Sequence, residues 1–389
     1  MARKVVLVRG GMLGANTGIG GAHHTLKQTL ESGGVSGWDL HGVAEYDLGQ
    51  RPSGLKRIYH RWFKHPRTVQ NLTAIEGVDL IHITDQEQAH LVPKNSQIPV
   101  AVTVHDLFHT FPETKSVGGA EVEVGDANPS FIRRKDLTKL RKGLARADVL
   151  FCDSYATLNA CKTHFPHVKS VWLPLGLKMT KFSPQQTQMP ARTTPSSSLK
   201  KACHLLIVGS HDPRKRMKFL FETLGELNPE VKAECHVHHV GNPTSPVHEA
   251  SVLELAHKYG VEHFTAHGGD LSDEALMELR HASEALLFPS MSEGFGYPPL
   301  EAMATGTAVL CADFASHNEL MPEGACLSGS DKQAWVAAIE HLHAAWKERT
   351  RDHDIHVWPS PDEALIEHAH SFSLRAYQER TSTAYSDLF

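Results

Sequence analysis

Residues Phe288–Ala312 read FPSMSEGFGYPPLEAMATGTAVLCA. An apolar run delivers the chain to a polar loop carrying Gly294 and Gly296, and Pro298 and Pro299 follow where proline favours a helix start. Leu300–Thr305 has a helical pattern, Gly306 suits a C-terminal cap, and Ala308–Cys311 is a second apolar run. A strand, a loop, a short helix and another strand form one unit of a parallel α/β sheet. The loop would aim backbone N–H groups and the positive end of a helix dipole at one point, which suits a phosphate. Glu293 stands in the loop and Glu301 in the helix, so a ligand could be met from both. Carboxylates accept pairs of hydrogen bonds from sugar hydroxyls.

The same alternation runs through the chain. Val5–Val8, Leu80–Ile83, Val100–Val104 and Val149–Cys152 read as buried parallel strands, as do Leu205–Val208, Cys235–Val240, Ala285–Phe288 and Ala308–Cys311. Helical patterns lie between them, among them His24–Leu30, Leu137–Ala145 and Asp273–Ala282. The pattern restarts once. Residues 183–200, SPQQTQMPARTTPSSSLK, are rich in Pro, Ser, Thr and Gln and read as a linker. The expected organisation is therefore an N-terminal Rossmann-like domain over 1–182, the linker, and a second Rossmann-like domain over 201–370. A C-terminal helical segment over 371–389 is expected to pack back on the first domain. Ligands in such sheets sit at the carboxyl ends of strands, so two facing sheets would place a site in a cleft.

A length of 389 residues suits two domains. Hydrophobic residues at 41% and charged residues at 21% argue for a folded globular chain. The net charge of −5 does not favour a nucleic-acid binder. No apolar run reaches the ~18–20 residues of a membrane span. The N-terminal MARKVVLVRGGMLG runs into glycines and reads as a first strand, not a signal peptide. The cysteines form no C-x-x-C and read as free thiols of a reducing cytoplasm.

The Glu293–Glu301 segment resembles the E-x7-E signature of retaining nucleotide-sugar glycosyltransferases of the GT-B fold, glycosyltransferase family 4. Other segments agree in that family's order: Gly18-Ile-Gly-Gly21, Thr103-Val-His-Asp-Leu107, Ala147-Asp-Val-Leu-Phe-Cys-Asp-Ser154, Leu173-Pro-Leu-Gly176, Val208-Gly-Ser-His-Asp-Pro-Arg-Lys215, and Leu271–Leu276 ahead of Arg280-His-Ala282. The resemblance spans nearly the whole chain. The PRK turn and the EGFGYPPLEA loop look most like mannosyltransferase members.

The resemblance implies roles. Glu301 would hold the nucleotide ribose, and Glu293 with the amides of Gly294, Phe295 and Gly296 the donor sugar. Lys215 and Arg214 would stabilise the diphosphate; alone, the run Arg214–Lys218 also reads as a solvated basic turn. Many relatives carry an arginine where this chain has Ser210, which leaves the division of work among Arg214, Lys215 and Arg216 open. Gly20 and Gly21 would lie opposite the donor phosphates, although G-x-G-G alone reads equally as a plain turn. His105 would face the donor sugar as a positioning or transition-state group; unaided, His105 beside Asp106 reads as a structural pair. Catalysis is thus expected to rest on His105, Glu293 and Lys215, with no cofactor and no metal.

The 28 histidines raise the question of a metal directly. His236 and His238 share one face of a strand, with His239 opposite, and His23, His24, His263 and His267 are further candidates. None forms H-E-x-x-H or a Cys/His zinc spacing, and the excess reads as scattered surface and core histidines. Asp352-His-Asp354 reads as an exposed loop.

Arg51–Arg67 carries Arg51, Lys56, Arg57, Arg61, Lys64 and Arg67 and no acid, interleaved with Ile58, Tyr59, Trp62 and Phe63. It reads either as a solvated helix face or as a surface for an anionic membrane. Arg133–Arg146 is a second basic stretch. The expected activity is transfer of a mannose- or glucose-type hexose from a GDP- or UDP-sugar to a glycan or lipid-linked acceptor. The expected location is cytoplasmic or peripheral on the cytoplasmic membrane face. A nucleotide-sugar epimerase and a non-catalytic nucleotide-sugar-binding subunit are the alternatives.

Overall fold

The run Val5–Val8 forms the middle of β1 (Arg3–Gly11), and its alternate side chains enter two different cores. Val6 and Val8 pack with Ile81, Ile83, Leu140 and Leu144, whereas Val5 and Leu7 pack with Leu26, Trp38, Phe151 and Tyr385. A strand buried on both faces must be apolar throughout, which is why these runs are legible. The structure is a computed structural model and describes residues 2–12, 18–49, 53–182, 200–244, 250–269, 271–314 and 316–389. The expected linker therefore lies outside the described residues apart from Lys200, and Arg51 lies outside them too.

After β1 come β2 (Trp38–Tyr46), β3 (Leu80–Ile83) and β4 (Val100–Val104). A two-stranded ribbon follows, β5 (Glu113–Val117) and β6 (Ala120–Val124), and then β7 (Val149–Cys152) and β8 (Lys169–Trp172). The first sheet is parallel in the order β2-β1-β3-β4-β7-β8. The second sheet contains β9 (Cys203–Val208), β10 (Cys235–Val240), β11 (Phe264–Ala266), β12 (Ala285–Phe288) and β13 (Ala308–Cys311). It is parallel in the order β11-β10-β9-β12-β13. Every strand expected from an apolar run is present. In the two large sheets the strands not expected, β2, β8 and β11, are edges, where solvated side chains interrupt the apolar pattern, and the β5–β6 ribbon was not expected either.

The chain divides into two units: residues 1–113, 125–176 and 372–389, and residues 114–124 and 177–371. The boundary thus falls at Gly176, before the expected one at 182. Leu177–Phe182 belongs with the second unit because Phe182 is buried beneath the Arg280 guanidinium and Lys181 pairs with Asp273 at 2.5 Å. No change in composition marks that step. Residues 114–124, expected within the N-terminal domain, form the β5–β6 ribbon of the second unit. Gly118 and Gly119, both at positive φ, make its tight turn. The helix Leu374–Ser386 belongs to the first unit. His82, buried in β3, bonds the Tyr385 hydroxyl at 2.6 Å and Thr103 Oγ1 at 2.7 Å. Burial pushes the His82 pKa down to about 3, so a neutral ring serves both partners.

The helix Phe131–Leu144 lies against the 3-10 turn Gln86–Leu91 with Gly143 at the closest approach. A Cβ there would stand 1.8 Å from the Ala89 carbonyl oxygen. Gly143→Ala is therefore expected to destabilise the first unit by about 1–3 kcal/mol, although alanine is the better helix former. Urea unfolding checks this, and a variant as stable as the parent would contradict the packing.

Candidate functional site

In the second sheet β9 has β10 on one side and β12 on the other, so its carboxyl end lies at a switch in strand order, where α/β sheets bind ligands. Asp212 caps the turn that follows β9, its Oδ1 accepting from Arg214 N at 3.1 Å, and Pro213 starts a 3-10 turn over Pro213–Lys215. The loop after β12 is bonded to that turn: Met291 N donates to the Arg214 carbonyl at 2.9 Å. His317 Nε2 meets the Ser290 carbonyl at 2.6 Å and supports the loop from behind.

These contacts place Glu293 between two cations. Arg214 Nη1 donates to Glu293 Oε2 at 2.8 Å and to the Ser292 carbonyl at 2.7 Å. Lys215 Nζ pairs with Glu293 Oε1, its ammonium 5.2 Å from the centre of the Phe288 ring. Burial alone would raise the Glu293 pKa, but Lys215 and Arg214 outweigh it and hold the carboxyl down at about 2. Burial lowers the Lys215 pKa against the pull of Glu293.

Arg216 separates from its neighbours. It adopts φ 56°, in the left-handed region, at the start of the helix Met217–Gly225. Its guanidinium then lies 4.2 Å from the Phe219 ring centre, away from Glu293. Arg214 and Lys215 thus share Glu293, whereas Arg216 packs on Phe219. Ser210 is exposed on the same turn and forms no part of this ion cluster.

The helix after the Gly294–Gly296 loop runs over Tyr297–Ala304, starting earlier than the expected Leu300. Gly296 precedes it at φ 108°, where a side chain would be strained and a Cβ would meet Leu320 at 2.9 Å. Phe295 is buried edge-on to Tyr297, with ring centres 5.2 Å apart. Glu301 pairs with the buried Arg280 of the helix Asp273–Ala282, a partner that sequence reasoning did not assign. Lys115 of β5 was also missed. Its Nζ approaches Ser292 Oγ at 3.4 Å, and the alternation of ETKSVGGAEVEV about Gly-Gly was a readable ribbon signal.

In the first unit, His105 follows β4 and is buried. Its Nδ1 lies 2.9 Å from Asp153 Oδ2, and its Nε2 lies 3.3 Å from the Thr84 carbonyl. The paired acid is therefore Asp153, after β7, and not the adjacent Asp106, whose Oδ1 accepts from Phe108 N at 3.2 Å and shapes the turn. Parallel pairing of β4 with β7 brings the two strand ends together. Burial opposes the imidazolium, but the Asp153 bond and charge, with Asp85 and Asp106, outweigh it and raise the His105 pKa. Gly20 and Gly21 stand in the first turn of the helix Gly18–Glu31. Arg9, at the carboxyl end of β1, is a buried cation that sequence reasoning passed over within an apolar strand.

Many of the histidines are scattered as expected, among them His23, His65, His82, His105, His317 and His343, but one group is not. His204, His236, His238 and His267 meet on one side of the second sheet, through contacts that single-strand spacing cannot show.

Residues 195–352 match the profile of the glycosyl transferases group 1. Over 238 residues the chain is 28% identical to the MMP alpha-(1->4)-mannosyltransferase of Mycolicibacterium hassiacum, covering 59% of this chain and 52% of that one. Over 74 residues it is 36% identical to the O-antigen chain mannosyltransferase RfbU of Salmonella typhimurium, 19% of this chain and 21% of the relative. The chain thus spans a fifth of one curated relative and about half of the other. Among solved structures, sucrose-phosphate synthase from Thermosynechococcus elongatus aligns with a TM-score of 0.67 at 18% identity, covering 100% of this chain and 99% of that chain. Anabaena HepE in complex with UDP aligns with a TM-score of 0.62 at 15% identity, covering 99% and 100%. The fold is that of the GT-B glycosyltransferases, with its two parallel α/β sheets.

Because Glu293 titrates at about 2 against an ordinary 4.5, its ion pairs stabilise the fold in full above pH 4.5 and lose that contribution as pH falls towards 2. Glu293→Gln is expected to cost about 3 kcal/mol at neutral pH, with the gap to the parent closing in acid. Denaturant melts between pH 7 and pH 3 measure it; a gap that is constant with pH would refute the assignment.

Proposed function

We propose that this protein is a retaining glycosyltransferase that moves a hexose of the mannose or glucose type from a GDP- or UDP-sugar to a hydroxyl of a glycan or lipid-linked acceptor. The observation that carries the reading is the Arg214–Glu293–Lys215 cluster at the carboxyl ends of the neighbouring strands β9 and β12. The group 1 match over 195–352 and the mannosyltransferase relatives support it.

Donor binding is then an exchange of ionic partners. The diphosphate competes with Glu293 for Arg214 and Lys215, and the released carboxylate turns to the sugar hydroxyls. The Gly294–Gly296 amides and the start of the helix Tyr297–Ala304 add their dipoles to the same region. Glu301, oriented by Arg280, accepts from the ribose hydroxyls. The bond from the anomeric carbon to the diphosphate oxygen breaks, and the bond to the acceptor oxygen forms on the same face. The acceptor proton leaves with the diphosphate. Arg214 and Lys215 take up the leaving charge in a step without a metal. His105, with Asp153 fixing its ring, is assigned to stabilising charge at the sugar.

The acceptor reading rests on the basic stretch of the first unit. Arg61 grips Asp136 with two bonds of 2.8 and 2.7 Å, and Arg133 pairs with Asp136 and Glu87, so part of the charge is structural. Leu55, Tyr59 and Phe63 are 82%, 52% and 49% exposed beside Lys56, Arg57 and Lys64, which suits a peripheral anionic membrane contact. Among the described residues, no helix is long and apolar enough to cross a membrane.

Lys215→Ala is expected to lower transfer by roughly 100-fold or more, and Glu301→Ala to weaken donor affinity by roughly 10- to 100-fold. Thermal-shift titration with GDP- and UDP-sugars, followed by a transfer assay, measures both. Parent-like turnover in the two variants would refute the roles, and conversion of the donor without any acceptor would identify an epimerase. Leu55→Ser with Phe63→Ser is expected to abolish co-sedimentation with anionic liposomes; unchanged, salt-insensitive sedimentation would remove the membrane contact.

A further inference from the structure

We propose that His204, His236 and His238 form a binding site for one divalent cation of the zinc class, at the amino ends of β9 and β10, which ties these strands together. The three histidines come from adjacent parallel strands in register, His236 opposite His204 and His238 opposite Leu206. Alternation along β10 sends His236 and His238 to the same face. One ring nitrogen from each of the three lies within 4.8 Å of the others. His204 Nδ1 and His238 Nε2 are already 2.9 Å apart, and the His236 and His238 rings stack with centres separated by 4.2 Å. A tetrahedral ion with Zn–N bonds of about 2.0–2.1 Å holds its ligand nitrogens about 3.3 Å apart. Rotation of the side chains closes the difference.

The second nitrogen of each ring is already held. His204 Nε2 lies 3.0 Å from the Lys200 carbonyl, His236 Nε2 lies 2.9 Å from Thr265 Oγ1, and His238 Nδ1 lies 3.1 Å from His267 Nε2. Ligating histidines are characteristically fixed in this way by an outer partner, which sets the tautomer and aims the free nitrogen. Among the described residues, no hydrogen bond engages His236 Nδ1, which leaves it for the ion. Three imidazoles suit zinc, copper and nickel rather than magnesium or calcium.

Protonation does not compete near neutrality. Burial, reinforced by the neighbouring histidines, pushes His204 and His236 down to about 4 and His238 to about 2. Among the described residues, the groups facing the cluster are His263, His267, His356 and Lys200, with no carboxylate in direct contact. An ion there arrives at neutral ligands and leaves a cationic centre. The cluster stands at the amino end of β9, opposite the end that leads into the Pro213–Lys215 turn, so the assigned role is structural and independent of the transfer reaction.

The test uses the full chain after chelator treatment, titrated with cobalt(II) and then zinc(II). The expected result is one cobalt per chain with the visible d–d band of a four-coordinate ion, displaced by zinc. Zinc at a hundredfold excess over Kd should raise the melting transition by roughly 5–10 °C. His236→Gln, at a half-buried ring, should abolish the band, with circular dichroism confirming the fold. Thr265→Val should weaken binding by roughly 10-fold through loss of the outer partner, and the exposed His370→Gln should change nothing. Absence of the band in the parent, or equal binding by the parent and His236→Gln, would overturn the proposal. Transfer activity does not enter the readout, so this test and that of the proposed function fail separately.

Discussion

Glu293 is a buried carboxylate that stays ionised because Arg214 and Lys215 reach it from a different strand end. A charge taken out of water without partners costs several kcal/mol, so the loop after β12 and the turn after β9 hold each other in place. Much of the local architecture follows. The 3-10 turn keeps Arg214 and Lys215 together, and the left-handed Arg216 sends the next cation away. The bonds from Met291 N and Ser290 Oγ to the Arg214 carbonyl set the distance between them. Two cations face Glu293, and Asp212 Oδ1, 3.6 Å from Arg214 Nε, supplies the second negative charge near them.

The first unit solves a related problem at His105. Its Asp153 partner comes from another strand, and the two meet because β4 and β7 are adjacent. Similar logic governs Asp136, which gathers Arg61, Trp62 and Arg133. Basic residues that look like one continuous surface patch in the sequence are thus divided between internal neutralisation and solvent. What remains outward is a mixed apolar and basic face around Leu55, Tyr59 and Phe63.

The histidine excess shows the limit of spacing arguments. Imidazoles from β9, β10 and the residue after β11 converge because parallel strands lie about 4.8 Å apart, and no motif within one strand encodes that convergence. Burial keeps the rings neutral, so they can pack and bond to one another where charged groups would repel. The same blindness to tertiary contact hid the Arg280 partner of Glu301 and the Lys115 approach to Ser292.

The central strands, the two-sheet architecture and the positions of Glu293, Glu301, Arg214 and Lys215 were legible in the sequence. Strands buried on both faces must be apolar, and loops leaving their carboxyl ends must carry glycine, proline and charge. The edge strands β2, β8 and β11 were not legible, because solvation removes the apolar signal. The placement of residues 114–124 and 177–182 in the second unit was also a tertiary decision, made by the burial of Phe182 and the packing of the ribbon rather than by local composition. The sequence by itself determined which chemistry sits at the strand ends, since residue type and element order are local properties. Only the tertiary structure decided which charge neutralises which, because burial and distance, not spacing, set the energy of an ion pair.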